Sequence, residues 1–552
     1  MLISVDLSEK SFGHKVLYTD LQFEIQEGEK VGLIGRTGTG KSTLFNIING
    51  DDKDYQGEVM IKKGTVVIAS RQEHHDHNHK TVLDYIQGDL PEFSRLHRII
   101  TTYPSLMATD HRKMEQFSEA VERFSHLGYY QIEDELSQAF EAYQLNPEQI
   151  DNELSDLSGG QKRMVELIKV QRARGDIALI DEPTNHMDYI AKQTFLKWFK
   201  AAQEAVVVIT HDRDVLQNVD RILEIRDGRA FSFNGNYRDY LRINKEQITA
   251  QVNEYDLTQK RIRNLAEDVI RFRRMKEKSR DPGTIKRFKS QELRAAAELE
   301  RLKTAEKPSF WIDQDSVGDL NIKLTAAYGK YKAQNIKVST KRSESKTSRL
   351  LLDVKDVSLG YDEQPLFSDV SFVLHEGERI RLLGRNGAGK TTLVQAIISK
   401  IENQKSASQQ YAGHIASERD LRYGVYDQEI SERYLTMTLY EAIEQVFRDK
   451  DLPISDTRIK QLLSDYLFNP QTDGAVLVSR LSGGQKARFQ LINMLADDPE
   501  LLILDEPTNH LDLQSIEELE NALKAYTGAV LFISHDSFFA DALNGKVIPI
   551  GK

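Results

Sequence analysis

Apolar and polar positions change their period along the chain, and each change marks an element. Residues 1–34 alternate and then turn continuously apolar into Lys30–Gly35, which predicts strands feeding a glycine-rich loop. The run TLFNII at 43–48 then reads as the apolar face of a helix, and TVVIASRQ at 65–72 as another strand. Ile177–Asp181 and the run VVVIT at 206–210 are uninterrupted apolar stretches of strand length, the pattern of strands covered on both faces. The same series returns later. Arg379–Leu383 precedes a second glycine loop, TLVQAII at 392–398 a second helix, YGVYDQ at 423–428 a strand, and Leu501–Asp505 and LFIS at 531–534 buried strands. Self-similarity on this scale means a duplicated domain. The fold class is therefore α/β: two domains in tandem, 1–237 and 350–552.

Between and within these copies lie two helical additions. Gly35 to Ser158 spans 123 residues but Gly384 to Ser482 spans 98, so the first copy carries an insertion, placed at about 88–130. Met114, Phe117, Val121 and Phe124 recur there at helical spacing. Residues 238–349 hold a longer pattern. Ile248, Val252, Tyr255, Ile262, Leu265 and Ile270 form an apolar stripe, Ser279–Gly283 breaks it, and a second helical run from about Ile285 to Glu306 stops before Pro308. This predicts an antiparallel, coiled-coil-like hairpin linker, with KRSESKTSR at 341–349 as a flexible joint.

Composition adds bounds. The 552 residues are 39% hydrophobic and 29% charged, as in an ordinary soluble protein. Cysteine is absent, which excludes disulfides and thiolate metal sites and points to a reducing compartment. The opening residues MLISVDLSEK lack the basic head and apolar core of a secretory signal, and no apolar run reaches the ~20 residues of a membrane helix. A cytoplasmic protein without membrane contact is expected. The net charge of −11 argues against a nucleic-acid partner until its distribution is considered. Residues 260–307 hold sixteen Lys/Arg against eight Asp/Glu. The tip gathers Arg271, Arg273, Arg274, Lys276, Lys278, Arg280, Lys286, Arg287 and Lys289 against Glu277 and Asp281. A solvated helical spacer would account for some of this; a basic patch on an acidic protein also suits a phosphate backbone, and RNA is the expected partner.

The chemistry lies in the repeated motifs. Gly35, Arg36, Thr37, Gly38, Thr39, Gly40, Lys41, Ser42 and Thr43 form one phosphate loop, and Gly384, Arg385, Asn386, Gly387, Ala388, Gly389, Lys390, Thr391 and Thr392 the other. Glycines let backbone N–H groups turn toward phosphate oxygens at a helix N-terminus, while Lys41 and Lys390 reach the β- and γ-phosphates. ATP and Mg²⁺ are the expected ligands. Ser42, Asp181, Thr391 and Asp505 are candidate Mg²⁺ ligands, joined by Gln72 and Gln428 at strand ends, each of which also suits a solvated loop. Glu182 and Glu506 would orient or deprotonate the attacking water, and His211 and His535 would reach the γ-phosphate. The spacing repeats: 24 residues from Ser158 to Glu182 and from Ser482 to Glu506, and 29 from each glutamate to its histidine. The histidine-rich stretch Arg71–Lys80, with its 74–79 core, reads as a polar surface loop or a transition-metal site.

Taken together, the phosphate loops, LSGGQ at 157–161 and 481–485, DEPTNH at 181–186 and 505–510 and the Ser/Thr-His-Asp pairs resemble the ATP-binding cassette ATPases. That resemblance implies that LSGGQ caps the γ-phosphate held by the other domain. Ser482, Gly483, Gly484 and Gln485 would then complete the site of Lys41, and Ser158, Gly159, Gly160 and Gln161 that of Lys390. It further implies that Asp188 and Asp512 lie between the sites and that Phe12 and Tyr361 stack on adenine. Two cassettes, the inserted arm and the basic linker resemble the ABC-F subfamily of ribosome-binding ATPases. The implied function is a translation factor in which ATP closes the cassettes beside the P-site tRNA. The linker would point toward the peptidyl-transferase centre, the arm would touch the ribosomal stalk, and hydrolysis would release the factor. Some members confer antibiotic resistance by ribosome protection instead; the short tip Asp281–Thr284 favours the general translation role. A transporter motor subunit and a DNA-maintenance ATPase are the rival readings, and both leave the basic linker or the intact cassettes unexplained.

Overall fold

The computed structural model describes residues 1–551 except 13–14, 37, 72–76, 106–110, 186, 304–348, 362–363, 427–429, 467, 482 and 510. The chain divides into two compact units: Met1–Tyr237 together with Ile336–Lys552, and Arg238–Asn335.

The first unit contains both copies. In the first, Lys30–Gly35 lies in a six-stranded sheet between Arg221–Arg226 and Ala205–Ile209. Beyond these come Arg229–Asn234 on one side and Ile177–Asp181 and Val67–Ala69 on the other. All pairings are parallel except the hairpin of Arg221–Arg226 with Arg229–Asn234. Ile177–Asp181 and Ala205–Ile209 are buried at every position, which explains the absence of alternation: Ile177, Leu179, Ala205, Val207 and Ile209 pack against the helix Lys41–Asn49 and the strand residues Ile3, Val5, Leu21, Phe23 and Ile25, and the alternate residues are covered on the other face. Ile3–Phe12 pairs antiparallel with Lys15–Tyr18, Leu21–Ile25 and Gln56–Ile61 in a separate sheet. There Leu21, Phe23 and Ile25 alternate with exposed Gln22 and Glu24, as a sheet covered on one face requires.

The second copy repeats the plan. Its central sheet runs Tyr423–Tyr426, Leu501–Asp505, Ala529–Ile533, Arg379–Leu383, Lys546–Pro549, all parallel. Leu350–Tyr361 pairs antiparallel with Gln364–His375 and Gln409–Ser417. In both copies the phosphate loop, the acidic pair and the histidine follow the carboxyl ends of adjacent strands, where open parallel sheets place their ligands.

In the first copy, Phe93–Thr102 and His111–His126 are helices packed on each other through Phe93, Phe124 and Tyr129. Phe124 is buried there, but Met114, expected on the same stripe, is 54% exposed. The remaining unit is a pair of helices, Tyr237–Lys278 and Pro282–Lys303. The second starts three residues before the expected Ile285, because Pro282 takes the first helical position and Asp281 caps it, accepting a hydrogen bond from the Thr284 N–H at 2.7 Å. Leu265, Ala295 and Leu299 are buried between the two helices with Ile262, Ala266, Val269 and Phe272 against them. Ile270 is 51% exposed, so the stripe turns through Val269 and Phe272 instead.

Candidate active site

Each phosphate loop is closed by a glycine that a side chain would exclude. Gly40 and Gly389 cap the helices Lys41–Asn49 and Lys390–Ile401 in left-handed conformation, φ 93° and 92°. A Cβ there would sit 2.7 Å from the Tyr18 hydroxyl and 2.7 Å from the Phe367 ring. Tyr18 donates that hydroxyl to the Gly40 carbonyl, a contact the motifs do not reveal. The lysines lie along their loops: Lys41 Nζ donates to the carbonyls of Gly35 and Arg36 at 2.7 and 3.1 Å, Lys390 Nζ to those of Gly384 and Arg385 at 2.8 and 2.9 Å. Burial lowers the pKa of both, opposed by the carboxylates nearby.

Beside each loop a hydroxyl meets a carboxylate. Ser42 Oγ donates to Asp181 at 2.7 Å and Thr391 Oγ1 to Asp505 at 2.8 Å. A hydroxyl and a carboxylate at adjacent positions are hard oxygen donors of the kind that suits Mg²⁺. Glu182 and Glu506 follow directly, at φ 46° and 48°, conformations that non-glycine residues adopt infrequently. Their N–H groups donate to the carbonyls of Ile209 and Ile533, which fixes each carboxyl beside the next strand. Each lies 3.3 Å from a histidine Nε2, that of His211 and that of His535. Burial, and then the Asp181 charge, push Glu182 up to about 8. Burial, with Asp505 adding to it, pushes Glu506 up to about 7. Burial pushes both histidines down to about 3, with the neighbouring lysines adding to it, so both rings are neutral.

Ser158 caps the helix Gly159–Ala173 and exchanges hydrogen bonds with Gln161, whose N–H donates to Oγ at 3.3 Å while its side chain accepts from the Ser158 N–H at 2.9 Å. Gly483 opens the matching helix Gly483–Met494. Asp188 connects the copies: it caps Tyr189–Ala201 through the Ala191 N–H at 2.9 Å and accepts from the Asn386 N–H of the other copy's loop at 3.2 Å. Asp512 acts electrostatically on Lys41 and His211, the reverse relation. A cavity of about 810 Å³ is lined from both copies, by Lys41, Gly160, Glu182 and His211 and by Asn386, Lys390, Glu506 and His535 among others. Thr184, Asn185, Thr508 and Asn509 also line it, residues of the repeated PTN to which the sequence pattern alone assigns no role.

Phe12 and Tyr361 end the strands Ile3–Phe12 and Leu350–Tyr361, 62% and 50% exposed, with Lys10 Nζ 5.2 Å from the Phe12 ring centroid. Thr37, Gln428, Ser482 and residues 72–76, which include Gln72 and half of the histidine-rich stretch, lie outside the described residues. At the linker tip, Arg271 pairs with Asp268, and Arg273 and Lys276 with Glu292. Among the described residues, no helix is long and apolar enough to cross a membrane.

A family model described as ABC transporter matches residues 18–185 and again 367–509. A second model of the same description matches 223–315, across the helical unit. The putative ATP-binding protein YdiF of Bacillus subtilis is 28% identical over 561 residues, covering 100% of this chain and 80% of its own length. The energy-dependent translational throttle protein EttA of Mycobacterium tuberculosis is 28% identical over 537 residues, 96% of this chain and 88% of its own. Among solved structures, an archaeal ribosome recycling factor in complex with the ribosomal stalk protein aP1 aligns over 98% of this chain and 86% of its own. Its TM-score is 0.55 at 17% identity, a likeness of fold.

Proposed function

The chain belongs to the ABC transporter family as an ABC-F-type ATPase, and from that premise we propose that it is a cytoplasmic ribosome-binding factor that regulates translation. ATP-driven closure of the two cassettes sets its linker near the peptidyl-tRNA and the peptidyl-transferase centre. The observation that carries this reading is the pairing of two complete phosphate sites with one basic helical linker on an otherwise acidic chain. EttA, a relative over nearly the whole length, is named for a translational throttle. The linker cations Arg271, Arg273, Arg274, Lys276, Lys278, Arg280, Lys286, Arg287 and Lys289 then contact rRNA or tRNA phosphates.

In each site the chain binds, orients and excludes water. The loop N–H groups with Lys41 or Lys390 hold the β- and γ-phosphates, and Phe12 or Tyr361 stacks on the adenine. Ser158–Gln161 and Ser482–Gln485 close over the nucleotide of the opposite cassette. Mg²⁺, held by Ser42, Asp181 and Gln72 in one site and Thr391, Asp505 and Gln428 in the other, would neutralise phosphate charge. Glu182 and Glu506 orient the water and accept its proton, a role that contributes about 10²–10⁴-fold to rate. Neutral His211 and His535 donate from Nε2 to the γ-phosphate. Hydrolysis reopens the cassettes and frees the factor.

The test is ribosome pelleting with ATP, with ADP and without nucleotide. Retention with ATP, strengthened by Glu182→Gln with Glu506→Gln, supports the reading. Equal pelleting under all three conditions contradicts it.

A further inference from the structure

We propose that Lys192 is a positioning residue for the nucleotide site of Lys390, acting on it from the opposite cassette. The proposal rests on the reading of Glu506 and His535 as that site's hydrolytic pair. Lys192 stands in the first turn of Tyr189–Ala201, four residues after Asp188, and is 2% exposed. Its ammonium lies 2.6 Å from Asp214 and 2.8 Å from Asp212, and donates to the backbone carbonyl of His535 at 3.3 Å. One helix end thus touches the second site twice, at the Asn386 N–H through Asp188 and at the His535 carbonyl through Lys192.

The residues around Lys192 restrain the same segment. Ser537 Oγ donates to both oxygens of Asp214, at 2.7 and 2.8 Å, so the carboxylate that holds Lys192 is itself tied to the second cassette. Arg213 pairs with Glu520 and, at 3.3 Å, with Asp536. His535, Asp536 and Ser537 are therefore each held from the first cassette. Burial disfavours the Lys192 charge, but Asp212 and Asp214 override it and hold the ammonium charged well above its ordinary range.

The first site has a different set. Counted from the glutamates, Lys192 corresponds to Ile516; counted from the histidines, Arg213 corresponds to Ser537 and Asp214 to Phe538. Ile516 lines the cavity but has no donor to offer. Glu182 and His211 recur as Glu506 and His535, and Asp188 as Asp512, yet Lys192, Arg213 and Asp214 have no counterpart of their type in the other copy. Buried ion pairs of this kind add little net stability against apolar replacements, and fixing one geometry is their better-supported role. Here the fixed object is His535, whose ring stands 3.3 Å from Glu506.

The sites are separated by mutation and read by single-turnover hydrolysis of ATP by the full chain. Glu182→Gln leaves the Lys390 site to hydrolyse, Glu506→Gln the Lys41 site. Adding Lys192→Met lowers the rate about tenfold in the first background, the scale of losing one charge-assisted hydrogen bond, and less than twofold in the second. Lys192→Arg restores most of the loss. Lys192→Met with Asp214→Asn, which lightens the unpaired carboxylate charge, keeps the test decisive where Lys192→Met alone fails to fold. An equal fall in both backgrounds, or none in either, overturns the proposal. If Glu182→Gln and Glu506→Gln leave the parent's rate unchanged, the hydrolytic assignment fails first and takes the proposal with it.

Discussion

Glu182 and Glu506 show how a residue is tuned by where the backbone puts it. Each follows a fully buried strand, adopts a left-handed φ and stands between an aspartate and a histidine in a place water reaches poorly. Burial raises the carboxyl pKa to about 8 and about 7, and a base near the working pH is the most effective one. Replacing both by Gln keeps the shape and removes the carboxylates proposed to accept the proton. We expect ATP binding to persist and turnover to fall by at least about 10²-fold, read as phosphate release beside an equilibrium binding measurement. Stability gives a second check, with the sign set by linkage. Above the unfolded carboxyl value of 4.5 the unfolded chain has released protons that the folded sites keep, so stability declines as pH rises through about 7 and 8. The histidines act oppositely: their folded values near 3 lie below 6.5, so their effect grows with pH up to 6.5 and is constant above it. Between pH 6.5 and 8 the glutamates act and these histidines do not, and the Gln variant should lose less melting temperature over that window than the parent. Parallel melting curves would remove the burial argument.

Among the elements, the phosphate loops are held by close contacts at a glycine and the linker by a small apolar core. Gly40→Ala places a Cβ at a positive φ and 2.7 Å from Tyr18. It should cost about 1–3 kcal/mol and weaken nucleotide binding, seen together in melting with and without ATP. The linker hairpin rests on Leu265, Ala295 and Leu299. Leu265→Ala should cost that hairpin roughly 2 kcal/mol, appear as faster hydrogen exchange over 255–300, and leave isolated ATP turnover unchanged. Much of this is legible in the sequence because it is local. The run VVVIT announces a covered strand, and Pro282 with Gly283 announces a break. The second linker helix starts three residues before its apolar pattern does, because Asp281 and Pro282 suit a turn and a helix cap alike. Met114 and Ile270 fall on apolar periods yet face water, since periodicity marks a face without saying what covers it.

On the scale of the molecule, what the sequence withholds is how the copies touch each other. Lys192 set against Ile516 is visible on aligning the two halves, but nothing local says that the His535 carbonyl is its neighbour 343 positions away. Asp188 at Asn386 is the same kind of fact, reached from the motifs by family resemblance rather than by residue chemistry. The two halves are thus alike in chemistry and unlike in how they hold each other. The charge distribution is another property of the whole. Neutralising Arg273, Arg274 and Lys278 should weaken ribosome retention and flatten its dependence on salt. The slope should fall by about one unit for every phosphate that no longer meets a cation, measured by pelleting across a salt series. An unchanged slope would make the linker a spacer.

In the proposed mechanism, each nucleotide is closed in by the serine-glycine helix end of the opposite cassette. Ser482→Arg puts bulk and charge at one such end, and single-turnover hydrolysis in the two single-site backgrounds reads its effect directly. Ser482→Arg should abolish hydrolysis when Glu182 is the remaining base and spare it when Glu506 is. Loss confined to the Glu506 site would mean that each cassette closes over its own nucleotide, and would contradict it.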